Sequence, residues 1–159
     1  MSYLLWKLVH VVSVVVFLGN ISTGLFWAAR AHRSRNLDQV ASTFDSIIVS
    51  DRWLTVPGVI GIVVSGIAGA MAGGFPILST GWILWPALLF IASGLVFGVW
   101  VGPLQRKILT FAQSADASAQ SWATYCKLYK SWELWGLAAL LTPVAALVIM
   151  VLKPALPGM

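Results

Sequence analysis

Apolar residues run along this chain in long unbroken stretches rather than alternating with polar ones. Four stretches reach the length of about 20 mainly apolar residues that a helix needs to cross a bilayer. They cover about 3–29, 53–72, 82–104 and 132–152. Lys7 and His10 are the ionisable interruptions near the start of the first. Backbone groups in lipid must find partners within their own segment, so the spans are helices. The expected fold is all-α: a single membrane domain over 1–159, built as a four-transmembrane-helix bundle.

Between the spans the pattern changes but stays helical. Leu37, Val40, Ala41, Phe44, Ile47 and Ile48 recur at helical spacing. Ser114 or Asp116 is placed to cap a helix running through Trp122, Tyr125 and Tyr129 into the fourth span. Gly73, Gly74, Pro76 and Gly81 mark a short turn between the second and third spans. Pro57, Pro86, Pro103 and Pro143 lie in or at the ends of spans. Pro86 is expected in a first helical turn, and Pro143 is expected to kink the fourth helix. No linker or second domain is visible.

Small residues suggest how the helices meet. Gly61, Ser65, Gly69 and Gly73 repeat every four residues, as do Gly94, Gly98 and Gly102, with Asn20, Gly24 and Ala28 a shorter set. Such stripes let membrane helices approach closely. The short turn predicts that the second and third helices are antiparallel neighbours. The alternative role for the stripes is to make room for a flat cofactor.

Charge then orients the bundle. Arg30, Arg33, Arg35, Arg52, Arg106, Lys107, Lys127 and Lys130 lie between spans one and two or three and four, against Lys7 and Lys153 on the other side. The positive-inside rule makes both longer segments cytoplasmic extensions and both termini extracytoplasmic. This suits a multi-pass plasma (inner) membrane protein. Many of the nine Trp lie near span ends, as an interfacial belt requires. The net charge of +5 is explained by topology, so nucleic acid is not an expected partner. With 59% hydrophobic and 9% charged residues, and a mean hydropathy of +0.89, too few polar side chains exist to coat a soluble surface. The first span is too long for a cleaved signal, and its positive cluster follows it.

Candidate chemistry is sparse. No zinc-type Cys/His spacing, phosphate-cradling loop or paired buried carboxylates can be read. Cys126 is the lone cysteine. Ionisable groups inside a span are functional candidates by default. His10 is the foremost one, on a stripe with Tyr3, Ser13, Phe17, Asn20 and Gly24 that should face the interior. Its imidazole suits an axial ligand of haem iron, a proton relay, or an interhelical hydrogen bond. His32 lies about 33 Å away by helical rise and cannot share an iron with it. Met71 and Met150 lie at the depth of a second ligand, although Met commonly only fills space. His10, Met71 and Asn20 are the expected cofactor-binding residues.

The run Tyr3–Val12 followed by Phe17-Leu18-Gly19, the Asp51-Arg52-Trp53 stretch with Pro57, and the pair Gly81-Trp82 resemble a group of small four-helix membrane proteins. The group includes HemJ-type protoporphyrinogen oxidases, CopD-type copper-resistance proteins and the family called domain of unknown function 2269, which is the best match. The resemblance implies a b-type haem bound at His10. HemJ-type proteins also carry a lysine just after the Gly-Trp pair, where this chain reads Ile83-Leu84-Trp85-Pro86. The leading expectation is a haem-b-binding, redox-active membrane protein with His10 as axial ligand. The alternatives are a cofactor-free scaffold or accessory subunit, self-associating or bound to a membrane partner, and a protoporphyrinogen-oxidase-like, haem-dependent oxidoreductase.

Overall fold

The computed structural model describes residues 2–158. Those residues form helices and no strands. Helix α1 spans Tyr3–Ser34. The second long helix comprises α2 (Leu37–Ser50), a π-turn (Asp51–Thr55) and α3 (Val56–Ala72). The third comprises α4 (Gly81–Val96), a π-turn (Phe97–Val101) and α5 (Gly102–Ser114). Helix α6 runs through Ala119–Leu152. Four helices are therefore long and apolar enough to cross a membrane. Each is 32–36 residues, about 50 Å by rise, against a hydrocarbon core of about 30 Å. The excess is helix that continues beyond the spans; residues 37–48, helical by their spacing, form such an extension of the second span.

Local chemistry sets the ends. Asn36 caps α2, its side-chain oxygen accepting from the amides of Asp38 (2.8 Å) and Gln39 (3.1 Å). The cap of α6 is Ser118 rather than Ser114 or Asp116, and it accepts from the Ser121 amide at 3.2 Å. Asp116 instead accepts from the hydroxyls of Ser118 and Ser121, bracing that cap. Helix α4 starts at Gly81, so Pro86 lies past its first turn. Helix α6 continues through Pro143.

Both π-turns precede a proline by one residue: Val56-Pro57 and Gly102-Pro103. A proline ring lacks an N–H and crowds the carbonyl four residues back. Widening the preceding turn relieves that crowding by inserting one residue.

The aromatic-rich core occupies the basic end. Phe44, Ile108, Tyr125, Tyr129 and Trp132 are buried together there. Towards the other end, large apolar residues such as Leu4, Val15, Ile60 and Leu95 face outward, as lipid contact demands. Packing partners change along the bundle. Helix α2 packs on α5, whereas α3 packs on α1 and α4 packs on α6. The second and third helices are thus neighbours chiefly through their basic halves, not along their glycine faces. The face of α3 meets α1 instead. The stripe on α4 lies open: a Cβ added at Gly94 or Gly98 would meet nothing within 4 Å.

Candidate functional site

The α1–α3 contact is a ladder of large against small. Tyr3 meets Gly73, Trp6 meets Gly69, His10 meets Gly66, Ser13 meets Gly61 and Phe17 meets Gly58. The stripe on α1 does face inward, as its spacing predicted. The groove on α3 is filled by these side chains.

The ladder ends on a polar centre. Asn20 donates from Nδ2 to Asp51 Oδ1 (3.1 Å) and to Thr55 Oγ1 (2.9 Å). Thr55 donates to the same carboxylate oxygen at 2.8 Å. From α5, Gln105 donates from Nε2 to Asp51 Oδ2 at 3.0 Å. Thr55 and Gln105 are only 4% and 5% exposed. The four side chains come from three helices, and both π-turns border the centre. All three donors to Asp51 are uncharged, so hydrogen bonding rather than ion pairing compensates the half-buried carboxyl.

Beside the carboxylate lies a cavity of about 20 Å³ lined by Asn20, Gly24, Asp51, Gln105, Trp132 and Gly136, among others. Trp132 is 2% exposed, and its indole Nε1 has no hydrogen-bond partner. Buried donors are rarely left alone, and one water needs about 10–15 Å³ and two or more polar partners. The cavity is large enough for one water, and Asn20, Asp51 and Gln105 bring polar groups to its wall.

The residues expected from sequence are placed apart. His10 Nδ1 lies 3.0 Å from the Ile62 carbonyl and 3.2 Å from Ser65 Oγ. Met71 faces outward, 74% exposed. Asn20 lies about 15 Å along α1 from His10 and belongs to the Asp51 centre. No two of the three share a site. Asp51, Thr55 and Gln105 were not expected as a site, because a span boundary at Trp53 left Asp51 in the basic segment. The available signal was Asn20 on an inward stripe with an Asp-x-x-x-Thr pair at the mouth of the next span.

The model of the family described as predicted integral membrane protein (DUF2269) matches residues 4–154. The chain belongs to that family. The match spans all four long helices of this DUF2269 protein, including the polar centre. No curated protein and no solved structure matches it.

Proposed function

We propose that this DUF2269 protein is a multi-pass membrane protein whose working centre is Asp51, a carboxyl group that exchanges a proton with bundle water. The carrying observation is one carboxylate held by three uncharged donors beside a water-sized cavity. A water there would donate to Asp51 or to a neighbouring amide oxygen. The centre lies between helices at the basic-side mouth of the spans, where water can reach a carboxyl group, and π-turns recur at functional sites. The same reading takes the basic end as cytoplasmic and the membrane as the plasma (inner) membrane. The test is an infrared titration of the full chain in lipid nanodiscs. A carboxyl band that titrates in wild type and vanishes in Asp51→Asn is expected. A titrating band unchanged by that substitution would overturn the proposal.

A second reading places haem b at His10, and one contact favours it. With Nδ1–H donating to the Ile62 carbonyl at 3.0 Å, Nε2 is left as the free lone pair. Metal-ligating histidines characteristically anchor their other nitrogen in this way. The residues fit on one side only: His10 would hold the iron, while Met71 points away. When bound, haem would supply one-electron chemistry. The His10 contacts serve equally as an α1–α3 clasp in a cofactor-free scaffold. Absorbance in the Soret region after expression with ample haem, lost in His10→Ala, is the expected result for haem. No Soret band, or one that survives His10→Ala, removes the assignment. The protoporphyrinogen-oxidase reading requires turnover of that substrate with an electron acceptor.

A further inference from the structure

At the basic end, α5 and α6 flank an open groove of about 690 Å³. Arg106 and Lys107 enter it from α5 and Lys127 from α6, with Thr110 beside them and Phe111 and Leu128 also in its wall. No Asp or Glu lines it. The nearest carboxyls in sequence are engaged elsewhere. Asp116 takes the hydroxyls of Ser118 and Ser121, and Glu133 accepts from the Tyr129 hydroxyl at 3.0 Å. The positive-inside rule explains why cations gather at this end. It does not require three of them, from two helices, to converge on one acid-free groove.

Depth narrows the ligand. Trp100 and Trp135 stack at 4.5 Å between centroids, bridging the same two long helices. Trp100 precedes Arg106 by six residues, about 9 Å along the helix. Tryptophans sit at headgroup level, so the groove opens where lipid phosphates lie. On the apolar side of the stack, Leu95 and Leu141 of the same helices are 61% and 62% exposed. A ligand with a phosphate in the groove and acyl chains on this surface satisfies both features.

We propose that the α5–α6 groove binds the phosphate of an anionic phospholipid headgroup through Arg106, Lys107 and Lys127. Basic pockets between transmembrane helices recognise such headgroups, at about 1 kcal/mol per cation, or about fivefold in retention for each one removed. This site is independent of the Asp51 centre.

The test uses the full chain in micelles containing equal amounts of phosphatidylglycerol and phosphatidylcholine, read by native mass spectrometry. Wild type should retain phosphatidylglycerol selectively. Arg106→Gln, Lys107→Gln and Lys127→Gln should each lower retention about fivefold, with Lys153→Gln, at the opposite end, unchanged. Tryptophan-fluorescence melting checks that each variant folds, and the single variants suffice if the triple one does not. A second arm adds millimolar inorganic phosphate. Displacement of the lipid by phosphate supports the same phosphate site with its ligand drawn from solution. Equal retention of both lipids, or retention indifferent to all three substitutions, overturns the proposal.

Discussion

Gln105 and Asp51 lie 54 positions apart and meet through an Nε2–H···Oδ2 bond of 3.0 Å. It ties the third long helix, just past its widened turn, to the second at the start of its own. Gln105→Leu fills similar volume but removes a donor from a half-buried carboxyl group. Hydrogen bonds to charged groups contribute about 1.5–3 kcal/mol in water-soluble proteins, while polar contacts within membranes average about 0.6. An unfolding titration in mixed micelles should therefore show a loss of about 1–2 kcal/mol. A double-mutant cycle with Asp51→Asn should recover most of it as coupling energy. Additive losses would show that the two side chains act independently.

Glycines on α3 and α4 should respond differently to the same substitution. A Cβ on Gly58 would already stand 3.2 Å from Phe17 Cβ, with the Phe17 backbone behind it. Gly58→Leu should cost at least about 1–3 kcal/mol by overpacking. Gly94→Leu meets open space and should stay within about 0.5 kcal/mol. Thermal melting of both variants in one detergent decides this. Equal losses would mean that the α4 stripe also packs closely, against another molecule.

The C-terminal segment is held against α4. Trp85 donates from Nε1 to the Pro157 carbonyl at 3.0 Å, and Lys153 Nζ lies 4.4 Å from the Trp82 ring centroid. A Cβ on Gly81 would collide with the Leu156 carbonyl, which is backbone and cannot rotate away. Gly81→Ala should release the tail and speed its trimming by carboxypeptidase. Trp85→Phe, losing one hydrogen bond of about 1 kcal/mol, should give a smaller acceleration. Wild-type rates in both would remove the tail contact from the account.

Acid should loosen the start of α6. The Ser121 hydroxyl, and then that of Ser118, hold the Asp116 carboxyl below its ordinary range. A folded value below the unfolded one adds stability that is complete above the unfolded value, about 3.9. It is lost as pH falls through the lower, folded value. Hydrogen exchange in the first turn of α6 should therefore accelerate as pH falls below about 4, beyond the intrinsic pH effect. Asp116→Asn should abolish the excess. The group is solvent-exposed, so the effect is local.

Hydropathy located the spans because bilayer thickness imposes its length on the sequence. The inward stripe of α1 was equally readable, since Tyr3, His10, Ser13, Phe17 and Asn20 keep one face of an unbroken helix. The polar centre was not. Its members come from three helices, and Gln105 lies beyond a widened turn that offsets helical periodicity. Hydropathy also began the second span at Trp53, two residues past Asp51, although the helix is continuous from Leu37 through the widened turn. The neighbour relation inferred from the Gly73–Gly81 turn holds where α2 packs on α5, but not between the glycine faces of α3 and α4. A turn fixes which ends are close but not which faces meet, and the glycines of α3 are occupied by the large residues of α1.

The two widened turns also act as phase shifts. One inserted residue advances everything beyond it by about 100° around the axis. In the second long helix, the face before the shift is turned to α5 and the face after it to α1. The third hands over from α6 to α2 in the same manner. Each helix thereby serves two partners that a uniform helix would present differently. Deleting a single residue from either widened turn would turn one half of that helix away from its partner, so chain length there is constrained as tightly as side-chain identity.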